Sequence, residues 1–174
     1  VRMIAAHQDY RESRHDRSFG KLSLNEQFED VTALSLNIDF DKKPSVNKLL
    51  YYGLELVYND IASSARTLNI STNVAAPAGS RYPNGENKYS TLSLYAGYKN
   101  NISEMLTFNT GLRYNYTSLW SEIADNSFYN FPFTTISISG GAVTGSAGIV
   151  LRPAEKMKLN LNVSTGFRAP NLDD

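Results

Sequence analysis

The chain carries few side chains able to do acid–base or metal chemistry: His7 and His15 are its two histidines, and it has no cysteine. A thiolate metal site, a cysteine nucleophile and a disulfide framework are therefore excluded. Both histidines fall within the first 15 residues and no G-x-S-x-G string occurs, so no Ser/His/Asp grouping can be assembled. Asp173 and Asp174 are adjacent carboxylates, a small part of the roughly six to eight oxygens that calcium takes. No catalytic residue, metal ligand or cofactor is assigned. What remains is chemistry of recognition. Arg81 and Tyr82 precede Pro83, Asn84 and Gly85, which sets a charge and a flat ring beside a turn. Phe128, Tyr129, Phe131 and Phe133 form an aromatic cluster. Both groups suit ligand capture by stacking and charge, and both equally suit packing a large loop on itself.

The elements that carry these groups follow from hydrophobic periodicity. Alternation with period two predicts strands near 1–10, 29–40, 49–61, 88–99, 105–117, 142–152 and 158–168. In six of them one face is apolar, as in Leu34, Leu36, Ile38 and Phe40, or Leu50, Tyr52, Leu54, Leu56 and Tyr58. The strand charges, Asp39, Glu55, Lys99, Arg113, Arg152, Lys158 and Arg168, all fall on the opposite face. Consecutive Ile4, Ala5 and Ala6 leave the facing of the first strand unassigned. Lys and Arg total 17, as do Asp and Glu, and no basic run exists to neutralise phosphates, so no nucleic-acid partner is expected.

An apolar face can be the core of a soluble sandwich or the lipid-facing wall of a membrane barrel. Connections decide for the barrel. Long ones (11–28, 62–87, 118–141) alternate strictly with short ones (41–48, 100–104, 153–157), the pattern of outer-membrane barrels with long outer loops and short periplasmic turns. Aromatics end the apolar faces: Tyr52, Tyr98 and Phe108 toward the short turns, and Tyr58, Tyr114, Tyr116 and Phe167 toward the long loops. Two interfacial girdles are laid out this way. No apolar run approaches the roughly 18 to 20 residues of a spanning helix. The expected fold is all-β: a partial antiparallel transmembrane barrel of about seven strands, belonging to a larger one of roughly 22. With Val1 first and Asp174 last, the chain reads as an internal piece of a longer protein.

Residues 164–174, STGFRAPNLDD, resemble a strand-end motif of TonB-dependent outer-membrane receptors, supported by YGLELVYN at 52–59, SRYPNG at 80–85 and GLRYNY at 111–116. The resemblance covers essentially the whole chain. It implies a Gram-negative outer membrane, a plug domain outside this segment, and a TonB partner reached through a missing N-terminal region. It also implies import of a ferric siderophore, haem or cobalamin, without choosing among them. Phe167, Arg168, Ala169 and Pro170 match the family's F-R-A-P element. A structural role also accounts for them, because Pro170 cannot donate to a ladder and restrains Ala169 to extended geometry. A haem ligand would require an axial histidine, for which His7 and His15 are the available residues. Glu55 and Arg113 are expected to face the lumen and pair with the plug, and Arg152 and Lys158 to act as solvated interfacial anchors. The alternatives are a non-transporting barrel for adhesion or assembly, and an outer-membrane enzyme whose site lies outside this segment.

Overall fold

A computed structural model describes residues 1–169. Its strands are β1 (Arg2–Asp16), β2 (Ser23–Ser45), β3 (Lys48–Asn69), β4 (Val74–Pro77), β5 (Gly85–Asn101), β6 (Leu106–Ile123), β7 (Thr135–Ala154) and β8 (Met157–Ser164). They form one antiparallel sheet in the order β1-β2-β3-β5-β6-β7-β8, with β4 paired to the tip of β3. Among the described residues β1 and β8 are its edges.

The register aligns the apolar positions into rows. Ile38, Leu54, Leu94, Tyr114 and Val143 are cross-strand partners in turn, and Phe40, Tyr52, Ala96, Leu112 and Gly145 form the next row. Each apolar face read from the sequence lies on this one side. Met3, Ala5 and His7 oppose Ile38, Leu36 and Leu34, which assigns the facing of the first strand as well. The surface is bare: Leu112 is 64 % exposed, Leu161 67 % and Val143 68 %. So broad an apolar face is incompatible with water and suits lipid.

Two expectations need correction. The segments 11–28, 62–87 and 118–141 are not loops throughout, because strand pairing continues into them: Arg11 opposes Asp30, Ala62 opposes Glu86, and Ser118 opposes Ser139. The irregular stretches shrink to 17–22, to 70–73 and 78–84 on either side of the added strand β4, and to 124–134. The backbone simply finds a ladder partner for each donor it would otherwise expose. At the other end, β8 stops at Ser164, short of the expected 168, although Thr165 still donates its N–H to Gly145 at 2.9 Å.

With 22 residues, β3 reaches roughly 70 Å at about 3.3 Å per residue, well beyond a hydrocarbon layer of roughly 30 Å even when tilted. Above Tyr58 its outer face turns polar, and its neighbours there include Asp30, Glu86 and Lys88. The sheet therefore continues as a wall past the lipid-facing rows. Its buried apolar residues, Val31, Ile61, Ala65, Leu119 and Ile123, gather on the inner face at this end, where the loops fold over them.

Tyrosines cover glycines across the inner face. Tyr51 is the partner of Gly97 and Tyr95 the partner of Gly53. A Cβ on Gly97 would overlap the Tyr51 ring, and one on Gly53 would lie 2.6 Å from the Tyr95 hydroxyl. Only glycine admits rings this close to the backbone.

Candidate functional site: outer loops and lumen wall

Segments 78–84 and 124–134 meet at the outer end. Asn84 O accepts from Ala124 N at 2.8 Å, and Asn87 Nδ2 donates to Pro83 O at 3.0 Å and to Ile61 O at 3.2 Å. Ser121 Oγ donates to Asn87 Oδ1 at 2.6 Å, and both residues are fully buried. Gln27 Nε2, from the inner face of β2, donates to Gly79 O at 2.9 Å. The first bond joins the two loops, and those of Asn87 to Pro83 and Gln27 to Gly79 tie loop backbone to strand side chains, so the loops are seated on the sheet.

The four loop aromatics form one assembly. Phe128 meets Tyr129 edge-on at 4.8 Å, Tyr129 stacks on Phe131 at 5.2 Å, and Phe131 stacks on Phe133 at 5.2 Å. Asn126 closes the turn beneath them: its Oδ1 accepts from Phe131 N at 2.8 Å, and Asn130 takes a left-handed φ of 54°. Asp125 accepts from the N–H and Oγ of Ser127, which holds its carboxyl below the usual aspartate range. A Cβ on Gly79 would fall 2.7 Å from the Tyr129 hydroxyl, so the two loops touch there. The guanidinium of Arg81 lies 5.2 Å from the Tyr82 ring centre. The stack thus braces the loops, yet Phe128 remains 53 % exposed and Phe131 41 %.

Below the loops, the inner face carries a polar network. Arg113 Nη2 donates to Glu55 at 3.0 Å and Arg113 Nε to Asn115 Oδ1 at 2.7 Å, where Ser93 Oγ also donates, at 2.9 Å. The Arg113 guanidinium stands 5.7 Å from the Tyr95 ring centre, Tyr95 hydrogen-bonds Asp39, and Asp39 accepts from Arg2 at 2.6 Å. Glu55 and Arg113, expected on this face, lie there and pair with each other. Lys99, Arg152 and Lys158 line a concavity of the same face at the short-turn end.

The histidines do not face the lumen. His7 and His15 oppose Leu34 and Glu26, on the outer side. His15 lies in β1 and not in a loop, with Nδ1 3.2 Å from Glu26 and its ring edge-on to Phe28 at 5.6 Å. Arg66 Nε donates to the same Glu26 at 2.6 Å and holds its carboxyl below the usual glutamate range. Periodicity alone could not reveal this cluster, because it forms only where β1–β3 extend past the expected strand ends. Neither histidine is therefore placed on the lumen side. Phe167, Arg168 and Ala169 follow the end of β8, with Phe167 42 % exposed, and Pro170 lies outside the described residues.

Comparison with known proteins points the same way as the geometry. The family described as TonB dependent receptor-like, beta-barrel, matches residues 4–174. The structure is similar to the FrpB iron transporter from Neisseria meningitidis (F5-1 variant, apoprotein form), with a TM-score of 0.62 at 15 % identity over 98 % of this chain. The chain spans 30 % of that protein's length. No curated protein matches the sequence.

Proposed function

This chain belongs to the TonB-dependent receptor-like β-barrel family, and on that premise we propose that it is part of the wall of a Gram-negative outer-membrane receptor. The receptor imports a bulky, scarce ligand of the ferric siderophore, haem or cobalamin class. A plug domain, outside this segment, fills the lumen beside the inner face, and TonB supplies the energy. The chain has no catalytic role. One observation carries the reading of its loops: the aromatic assembly from Phe128 to Phe133 is joined to loop 78–84 and keeps about half of Phe128 and Tyr129 exposed above the polar wall. Flat, rigid rings of this kind offer large contact area at small entropic cost. Ligand capture makes use of that exposed area, and brace-only packing does not.

The test is uptake by cells carrying or lacking the gene, using an iron-55 ferric siderophore, haem and cyanocobalamin as probes. Uptake of one class should fall in the deletion. Replacing Phe128, Tyr129, Phe131 and Phe133 with Ser should lower it again while the barrel still assembles. Unchanged uptake of all three classes on deletion would reject transport and favour an adhesion or assembly barrel.

A further inference from the structure

At the outer end of the inner face, Glu29 is 2 % exposed, and neither oxygen of its carboxylate has a hydrogen-bond partner in the protein. Directly opposite, across the β2–β3 ladder, Ser63 is 4 % exposed with an equally unpartnered Oγ. A buried hydroxyl without a partner is destabilising, and an uncompensated buried carboxylate is more so. Two such groups facing each other in one register position amount to a site for something that binds oxygen.

The surrounding charge identifies what that is. On the other side of Glu29, Glu12 is its partner across β1–β2. Glu12 is already matched by Arg14, whose Nε donates to it at 2.7 Å and whose Nη2 lies 2.6 Å away. Arg14 stands within electrostatic reach of Glu29 but spends its bonds on Glu12. From β3 the facing group is the neutral Ser63, and on β5 the neighbouring inner-face side chain is Asn87, held by Ile61, Pro83 and Ser121. From loop 78–84 the charged residue is Arg81, which lies over Tyr82. Arg14 is bonded to Glu12 and Arg81 lies over Tyr82, so among the described residues the Glu29 carboxylate has no cationic side chain hydrogen-bonded to it. Water can satisfy the hydroxyl, but it cannot neutralise the carboxylate.

We propose that Glu29 and Ser63 hold a single small monovalent cation of sodium type, and that the cation fastens loop 78–84 over the inner face. The loop is tied down next to this position by Gln27, two residues from Glu29 on β2 and on the same face, through its bond to Gly79 O. Closing the loop removes water from the carboxylate, so closure and cation uptake must favour each other. This inference goes beyond the transport reading and does not depend on it.

The full-length protein in detergent micelles tests the idea through trypsin cleavage after Arg81, followed by mass spectrometry. Sodium chloride is exchanged for choline chloride at constant ionic strength, choline being too large for the site. Protection should rise with sodium, to about tenfold at ten times the half-saturating concentration. Glu29→Gln should remove the sodium dependence, and Ser63→Ala should move half-saturation to higher sodium. If Glu29→Gln does not assemble, the Ser63→Ala shift decides. Cleavage of the wild type that ignores sodium, or that follows pH instead, would overturn the proposal. So would a sodium dependence that survives both substitutions.

Discussion

Arg113 and Glu55 meet across an intervening strand: Nη2 of one lies 3.0 Å from Oε2 of the other, with β5 between β6 and β3. The pair stands over Tyr95 and shares Asn115 with Ser93. Each side chain is 39 % exposed, so solvent screens the attraction, and an exposed pair of this kind contributes about 0.2 to 1 kcal/mol. A double-mutant cycle with Arg113→Ala and Glu55→Ala, read by urea unfolding of the full-length protein, should give a coupling in that range. A coupling near zero would mean that each residue spends its charge on another partner, as expected if a plug domain holds them instead.

The outward rows lead to a sharper contrast. Leu54 and Leu161 both belong to the lipid-facing side, whereas Asn162 is turned to the inner face. Arginine facing the hydrocarbon midplane of a barrel costs roughly 2 to 4 kcal/mol, and a lumen position is far more tolerant. Leu54→Arg and Leu161→Arg should therefore lower the yield of folded, heat-modifiable barrel, and Asn162→Arg should leave it nearly unchanged. Equal losses on the two faces would refute the assignment of sides.

The glycine–tyrosine pairs set a steric limit. Gly97→Ala drives a methyl into the Tyr51 ring, and Gly53→Ala drives one into the backbone oxygen of Ile38. The ring in the first case can swing aside, but the carbonyl in the second belongs to the adjacent strand. Overpacking of this sort costs typically about 1 to 3 kcal/mol, with Gly53→Ala the worse of the two. Tyr51→Ala combined with Gly97→Ala should recover part of the loss, which unfolding midpoints would reveal.

The wall itself was legible in the sequence, because lipid on one side and polar groups on the other impose strict alternation, so Leu34 to Phe40 and Leu50 to Tyr58 announce their faces residue by residue. The outer end was not. There both faces become mixed: Glu26 and Arg66 share the outer side with Phe28, and Glu29 and Ser63 share the inner side with Val31 and Ile61. Period two loses its contrast where neither side meets lipid, and the ladder beyond Tyr10 and Ile61 left no trace in hydrophobicity. Candidate ligand residues fared in between. The aromatic run 128–133 is conspicuous in composition, but its stacking, and its contact with loop 78–84, depend on register between strands far apart in the chain.

The extended tip should also carry a pH signature. Glu26 is 7 % exposed, with Arg66 Nε at 2.6 Å and His15 Nδ1 at 3.2 Å, and its carboxyl is held below the usual glutamate range mainly by the Arg66 hydrogen bond. A carboxyl whose pKa is lower when folded than when unfolded stabilises the fold above its unfolded pKa, and that contribution fades as pH falls through the folded value. The tip of β1–β3 should therefore hold at neutral pH and loosen in acid, below the ordinary glutamate range. Amide hydrogen exchange at residues 13–16, 25–28 and 64–67 measures this directly. Protection there should fall in acid for the wild type, and Glu26→Gln should exchange faster already at neutral pH with a flatter pH profile. An unchanged neutral-pH rate in Glu26→Gln would show that the ladder alone, and not the Arg66–Glu26–His15 cluster, holds the wall above the membrane.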